Sequence, residues 1–200
     1  IGYPLAYFMA HTSPRTQRIL VVVLMLPMWI SLLIRTYSLM ALLDNGGLIN
    51  TLLSYLGLPK IKFIGTGGAV ILGMIYDFLP YMVLPIYTVI SKLDKRYIEA
   101  AHDLGCSRLQ VLTKVILPLS VPGIISGVTM VFVPSISTFY ISQKLGGGSF
   151  DLIGDTIERQ FQNQLTYNTG AAISLVMMIL IIISVAVMNR FSDSEGGIVV

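Results

Sequence analysis

Residues 99–118 read EAAHDLGCSRLQVLTKVILP, and two incompatible structures fit this pattern. A helix of small residues, a turn at Gly105 and a second helix with apolar spacing are typical of a DNA-binding helix-turn-helix. The same pattern is typical of a short elbow of two helices between membrane spans. A recognition helix must present polar side chains to base edges and phosphates, but here the chain runs on as VILPLSVPGIISGV and becomes almost wholly apolar. We therefore predict a membrane elbow and no nucleic-acid binding.

The composition places most of the chain in a bilayer. Of the 200 residues, 54% are hydrophobic and 12% are charged, whereas soluble domains carry roughly 25% charged residues. A membrane span needs roughly 20 apolar residues, and we predict an all-α polytopic protein in which about five spans are visible. The apolar runs are residues 1–10, 19–39, 67–90, 120–142 and 170–189. Because the first run looks like the end of a longer span, we expect an N-terminal part to be missing, and we expect residues 42–59 to lie along the membrane surface.

Basic residues predict the orientation of these spans, since they are more frequent in cytoplasmic loops. Threading the runs alternately places eight basic residues on one side and five on the other. The larger set is Arg15, Arg18, Lys92, Lys95, Arg96, Arg108, Lys114 and Arg190, and the smaller set is Arg35, Lys60, Lys62, Lys144 and Arg159. The larger set indicates the cytoplasm, so the elbow is predicted to be cytoplasmic. Arg35 lies near the end of its run, where its side chain is expected to snorkel to the interface.

The turn between the two elbow helices has local signals at each of its ends. Asp94 can cap a first helix over residues 95–104, and Gly105 suits the left-handed position that follows a helix. Ser107 can cap the second helix, which begins at the next residue. These signals predict two short helices joined by a tight turn.

The first elbow helix offers a surface to a partner. Tyr97, Ala101 and Leu104 fall on one stripe at helical spacing, and the small side chains of Ala100 and Ala101 let a partner approach closely. A short amphipathic helix lying on the membrane surface is the alternative that this local pattern leaves open.

The spacing of the quoted stretch carries a more specific signal. Glu99-Ala100-Ala101, three residues, Gly105, nine residues and then VILP resemble the EAA loop of permease subunits of binding-protein-dependent ABC importers, with Val115 where isoleucine is usual. The resemblance implies the type I importer permease fold, with six spans in an intact chain, and a first elbow helix that docks in a groove of an ATPase subunit. The docking residues that it implies are Glu99, Ala100, Ala101, Asp103 and Gly105. It also implies a permease domain over residues 1–190, containing a coupling loop at 91–118, and a tail at 191–200. The chain has no GxxxxGK[ST] phosphate loop, so we expect no enzyme here and ATP hydrolysis on a separate subunit.

Four further stretches resemble one branch of this family, the spermidine/putrescine permeases. They are PMWISLLIRTYS, YDFLPYMVLPIY, VPSISTFYIS and LIGDTIERQF. The resemblance implies polyamine import across a bacterial inner membrane, together with a second homologous permease, two ATPase subunits and an extracytoplasmic binding protein. Importers of ferric iron, thiamine or phosphonate share the EAA loop, so these cargoes remain open. A secondary cation transporter, with Asp77 as its coupling-ion site, is the alternative from another class.

A pathway for polyamines should offer carboxylates, hydroxyls and aromatic faces to ammonium groups. Asp77 is the acidic residue well within a run, and an ionisable group at membrane depth is a functional candidate. No basic partner is obvious in the sequence, which favours a cation site over a residue that is protonated or paired in helix packing. We add Trp29, Tyr81, Ser137 and Tyr140 as candidates. For Trp29 the alternative is ordinary lipid or core packing, and for Ser137 it is a hydroxyl bonded back to its own helix.

The segment 149–164 carries Asp151, Asp155 and Glu158 among apolar residues. We predict a contact surface for the binding protein, with a solvated amphipathic helix as the alternative. The histidines and the single cysteine have no partners at metal-ligand spacing, and no nucleophile–base pattern occurs, so we predict neither a metal nor a cofactor.

Overall fold

The computed structural model describes residues 1–148 and 150–196, and this part of the chain consists of helices and connecting turns without strands. The helices are α1 (Gly2–Ala10), α2 (Pro14–Met25), α3 (Leu32–Leu43), α4 (Leu48–Tyr55), α5 (Gly67–Ser91), α6 (Lys95–Asp103), α7 (Arg108–Val111), α8 (Leu117–Leu119), α9 (Val121–Ser137), α10 (Tyr140–Leu145), α11 (Ile153–Gln162) and α12 (Tyr167–Gly196). A 3₁₀ turn, Leu26–Trp29, follows α2, and a π-helical turn, Leu112–Ile116, joins α7 to α8. The predicted all-α class is confirmed. Of the predicted tail, residues 191–196 continue α12 and residues 197–200 lie outside the described residues.

Two helices in the described chain are long and apolar enough to cross a membrane, namely α5 and the Tyr167–Met188 part of α12. Two further pairs of helical segments meet the same criteria together but are sharply bent, so the count is up to four if each pair is one span. The first predicted run forms α1, whose nine residues extend about 14 Å at 1.5 Å per residue.

The apolar run over residues 19–39, predicted as one span, does not form one continuous helix. Helical segments Pro14–Trp29 and Leu32–Tyr55 meet at an angle of 99°, because Ile30 and Ser31 both have extended backbone with ψ of 137°. Pro27 lies just before this break. A proline inside a helix removes a hydrogen bond and clashes with the preceding turn, which accounts for the 3₁₀ turn that ends the first segment.

The run predicted over residues 120–142 is likewise interrupted. Helix α9 ends at Ser137, and α10 begins at Tyr140 after two non-helical residues. The start of α11 covers the break: a Cβ on Gly154 would lie 2.5 Å from the Thr138 carbonyl oxygen. Glycine is therefore the residue that lets α11 approach this exposed backbone.

The chain divides into two compact units, each with its own buried apolar residues. Unit 1 comprises Ile1–Leu24, Pro80–Phe132 and the chain from Ile182 onward, and unit 2 comprises Met25–Leu79 and Val133–Ile181. In unit 1 the buried apolar side chains are Ala6, Met9, Val83, Ile86, Ile90, Ala101, Val111 and Ile116. In unit 2 they are Leu43, Ala69, Val70, Phe78, Ile141 and Leu145.

Two sets of contacts hold unit 2 together: one joins α5 to α10, and the other joins α4 to the connections on its two sides. A Cβ on Gly73 of α5 would lie 2.4 Å from Leu145 Cδ1 and 2.9 Å from Ile141 Cγ2 of α10, and small residues of this kind let membrane helices pack closely. Asn50 of α4 is fully buried. Its Nδ2 donates to the carbonyl oxygens of Asp44 (3.1 Å) and Ile61 (2.9 Å), and its Oδ1 accepts from the Ile61 N–H (2.8 Å). The connections on both sides of α4 are therefore held by one side chain.

Candidate functional sites

The elbow turn has the local geometry that its sequence predicts. Asp94 Oδ1 accepts from the Arg96 N–H at 3.0 Å and caps α6, and Gly105 has a φ of +79°. The Gly105 N–H donates to the His102 carbonyl oxygen and the Cys106 N–H donates to that of Ala101, at 2.9 and 3.0 Å. This pair of bonds is the Schellman motif, which satisfies the last carbonyls of a helix.

The second elbow helix is capped as well. Ser107 Oγ accepts from the Gln110 N–H (3.4 Å), and Gln110 Oε1 accepts from the Ser107 N–H (2.8 Å). This reciprocal capping box satisfies two backbone donors at the start of α7. The predicted caps at Asp94 and Ser107 are confirmed, and the elbow is a well-defined turn held by its own residues.

The outer surface of the elbow presents apolar side chains that the chain does not cover. Leu104 is 85% exposed, Leu109 of α7 is 70% exposed, and Tyr97 is also exposed. Ala101, predicted to lie on the same stripe as Tyr97 and Leu104, is buried instead. It packs inward because α6 contacts α7 and the π-helical turn. Exposed apolar side chains grouped on a polar segment indicate a contact surface.

The acidic residues predicted for docking lie on this elbow. Glu99, Ala100 and Asp103 are exposed, and so is Gly105. Their positions leave all four open to a partner, whereas Ala101 is buried. Leu109 was not predicted from the sequence, although it is the first leucine of the second helix.

Within unit 2, Asp77 of α5 forms an ion pair with Arg35 of α3. Arg35 Nη1 lies 3.0 Å from Asp77 Oδ1 and donates to the Asp77 carbonyl oxygen at 3.5 Å. Arg35 is 8% exposed and Asp77 is 1% exposed. Two expectations are therefore wrong: Arg35 does not snorkel, and Asp77 has a basic partner. The separation of the two runs along the chain hid this pairing, although the sequence does place one cation and one anion in two neighbouring apolar runs.

The geometry of this ion pair is incomplete. Neither Arg35 Nε nor Asp77 Oδ1 has a hydrogen-bond partner within the described chain, although Oδ1 lies 3.0 Å from the charged Nη1. A buried charge pair gains most when its remaining lone pairs and protons are also satisfied. The two charges are therefore paired in the interior of unit 2, but two of their polar atoms make no hydrogen bond.

Tyr140, another predicted pathway residue, belongs to a cluster of two rings and a lysine. Its ring centroid lies 6.2 Å from that of Tyr37, with the ring planes at 80°. Lys144 Nζ lies 5.6 Å from the Tyr37 centroid and 5.8 Å from the Tyr140 centroid. Both distances are within the range of cation–π attraction. Tyr37 and Lys144 were not predicted as site residues.

The other predicted pathway residues belong to other segments of the chain. Trp29, in the 3₁₀ turn after α2, is 80% exposed. Ser137 Oγ donates back to the carbonyl oxygens of Val133 (3.1 Å) and Pro134 (3.3 Å) of its own helix. Tyr81 is half-buried and belongs to unit 1.

The three acids predicted to contact a binding protein differ in burial. Asp151 is exposed and paired with Arg159. Glu158 accepts from Gln143 Nε2 at 2.7 Å and also from Gln162. Asp155 is buried, and its Oδ2 accepts from the Leu152 N–H at 2.7 Å, so it caps the start of α11 rather than facing outward. Only Asp151 and Glu158 remain available for a contact surface.

Comparison with known proteins assigns the class. The family model described as binding-protein-dependent transport system inner membrane component matches residues 2–195, and the chain belongs to this family. It is therefore a permease component and a multi-pass inner membrane protein. The chain is 41% identical over 182 residues to the spermidine/putrescine transport system permease protein PotB of Escherichia coli (strain K12), covering 90% of this chain and 66% of that protein. It is 38% identical over 192 residues to the protein of the same name from Haemophilus influenzae, covering 95% of this chain and 67% of that protein.

A solved structure supports the fold at lower identity. The crystal structure of a bacterial alginate ABC transporter in complex with an alginate pentasaccharide-bound periplasmic protein contains a chain that is 20% identical, with a TM-score of 0.75. The match covers 96% of this chain and 70% of that one. The type I permease fold expected from the EAA loop is confirmed. The chain spans about two thirds of the length of its relatives, so the activity, cargo and partners of the whole protein are treated below as proposals.

Proposed function

We propose that this chain is the membrane-spanning permease subunit of an ATP-driven polyamine importer, which couples the motion of ATPase subunits to translocation of spermidine or putrescine. The observation that carries the proposal is the elbow. It combines the EAA spacing of Glu99, Ala100 and Gly105 with two uncovered leucines, Leu104 and Leu109, on a turn that its own caps hold.

The elbow suits the transfer of motion for a physical reason. Its two helices are capped by Asp94 and Ser107 and joined by a Schellman turn, so a displacement applied at Leu104 is carried to α6 and α7 rather than absorbed by unwinding. After α7 along the chain, the π-helical turn leads to the 62° bend between Arg108–Leu119 and Val121–Ser137. This bend connects the elbow to α9. In this proposal ATP is hydrolysed on two separate ATPase subunits, and a second homologous permease completes the pathway.

The cargo assignment rests on the relatives and on cation chemistry. The similar proteins from E. coli and H. influenzae are named for spermidine and putrescine transport. Asp77 and Tyr140 are proposed to serve the cation pathway, together with Trp29, Tyr81 and Ser137. Asp151 and Glu158 are proposed to face an extracytoplasmic binding protein. The division into a permease domain, residues 1–190, and a tail also remains a proposal.

Docking is tested by placing a charge on the elbow. Leu104→Glu should abolish co-purification of the ATPase subunits, because a carboxylate would be buried in an apolar contact. Leu165→Glu is the matched control: Leu165 is also highly exposed but lies in the turn before α12, far along the chain from the elbow. Equal ATPase recovery in both variants, with equal membrane expression, would refute the docking role.

Cargo is tested by uptake of radiolabelled spermidine in cells that lack their own polyamine importers and carry the complete operon. Uptake should require the ATPase subunits and should be inhibited by putrescine but not by thiamine, ferric iron or phosphonate. Uptake that survives loss of the ATPases and stops when the ion gradient is dissipated would instead identify a secondary transporter.

A further inference from the structure

The cluster of Tyr37, Tyr140 and Lys144 has a feature that helix packing does not require. Lys144 is half-buried, yet no carboxylate of the described chain lies within 4.0 Å of its ammonium group. The two ion pairs in the described chain are those of Arg35 and Arg159. The groups arranged around the Lys144 ammonium are the two tyrosine rings. The charge thus lies beside two tyrosine side chains.

The rings are supplied by two packed helices of the same unit. Tyr140 and Lys144 are four residues apart on α10, so both lie on one face of that helix. Tyr37 comes from α3, which contacts α10. The two rings pack edge to face, whereas the lysine reaches them on a flexible stem of four methylene groups.

The occupant of this site has the chemistry of the proposed cargo. A lysine side chain is an aminobutyl group, four methylenes ending in a primary ammonium, and each end of putrescine and one arm of spermidine have the same composition. Aromatic rings attract such ammonium groups through the ring quadrupole and do not distinguish a tethered ammonium from a free one. Tyr37 is 47% exposed, so its ring is accessible from outside the cluster.

We propose that Tyr37 and Tyr140 form an ammonium-binding site whose resting occupant is Lys144, and that an ammonium group of the cationic cargo displaces it. This inference rests on the proposed function, because it assigns part of the cargo route to the two tyrosines. Lys144 acts as an intramolecular competitor: it keeps the site filled when cargo is absent and lowers the apparent affinity of the site for cargo.

The affinity of the site can be measured in the complete permease–ATPase complex in lipid nanodiscs, without the binding protein, whose own affinity would mask it. Lys144→Gln empties the site and should tighten spermidine binding by between about two- and thirtyfold, the range that cation–π attraction supports. Tyr140→Leu should weaken binding by a similar factor. Lys60→Gln is the matched control, because it removes an exposed lysine of the same unit.

Displacement itself has a spectroscopic readout. In complexes with ¹³C-dimethylated lysines, the Lys144 signal, identified by its loss in Lys144→Arg, should be shifted by the ring currents of the two tyrosines. Spermidine or n-butylammonium chloride should move that signal toward the position of free lysine, whereas sodium chloride at equal ionic strength should not. Tyr140→Leu should reduce both the shift and the response, leaving the contribution of Tyr37.

The outcomes separate this inference from the proposed function. If cells carrying the wild-type operon take up spermidine but spermidine leaves the Lys144 signal of the complex unmoved, the inference is wrong. Lys144 then only fastens α3 to α10. If the signal moves with n-butylammonium while the wild type takes up no polyamine, the ammonium site stands and the polyamine assignment fails.

Discussion

Removing one member of the Arg35–Asp77 pair should destabilise the protein far more than removing both. At the observed separation of 3.0 Å, the gross attraction is about 5–6 kcal/mol at an effective dielectric constant of about 20. Burial of each ion costs several kcal/mol. Arg35 Nε and Asp77 Oδ1 have no hydrogen-bond partner in the described chain, so hydrogen bonds do not recover all of this cost. The net contribution of the pair is therefore expected to lie near zero.

The single variants leave one buried charge without its partner. Arg35→Met and Asp77→Val should each lower the free energy of unfolding by about 3–5 kcal/mol, which corresponds to a fall in Tm of roughly 6–20 °C for a chain of this size. The double variant Arg35→Met/Asp77→Val should recover to within about 1–2 kcal/mol of the wild type. Thermal unfolding of the complex in detergent, at one fixed scan rate, compares the four proteins. Single variants that change Tm by less than about 4 °C and add without coupling in the double variant would refute this reasoning.

Uptake by the double variant then decides between the two roles of Asp77. A stable double variant that no longer takes up spermidine places the carboxylate in the cation pathway. A stable double variant with wild-type uptake makes the pair purely structural. Asp77→Asn alone cannot separate these roles, because it leaves the Arg35 guanidinium buried without its counter-ion.

Substitutions test three further local contacts. Asn50→Leu should lower stability by about 1–2 kcal/mol, seen as a lower Tm, because three backbone groups lose their hydrogen bonds; an unchanged Tm would contradict the importance of this clamp. Gly105→Ala should cost about 1–2 kcal/mol of strain at a φ of +79° and reduce coupled uptake, whereas Gly105→Asn should be milder because asparagine tolerates this conformation; equal uptake by both would argue against a strained turn. Gly73→Ala should cost about 1–3 kcal/mol by overpacking against α10, while Gly46→Ala, where a Cβ meets nothing within 4 Å, should leave Tm unchanged; similar effects from both would contradict the close approach of α5 and α10.

Features that depend on neighbours along the chain could be predicted from the residues alone. The caps at Asp94 and Ser107 and the left-handed turn at Gly105 involve bonds that span two to five residues, so residue type and order are sufficient to predict them. The all-α class follows from the length and apolarity of the runs, and the EAA spacing indicated the family. These predictions required no knowledge of which helices pack together.

The contacts between distant segments of the chain could not be predicted from the sequence and were found in the tertiary structure. Arg35 has the composition and position of a residue that snorkels, but the packing of α3 on α5 places it against Asp77, 42 residues further along the chain. The two tyrosines and Lys144 meet because α10 restarts after the break that follows Ser137 and then packs on α3. Helical spacing predicts the face of each helix on which a side chain lies. It does not predict which residues of another helix lie opposite that face, because this depends on how the helices pack. The ion pair and the proposed ammonium site are therefore products of packing.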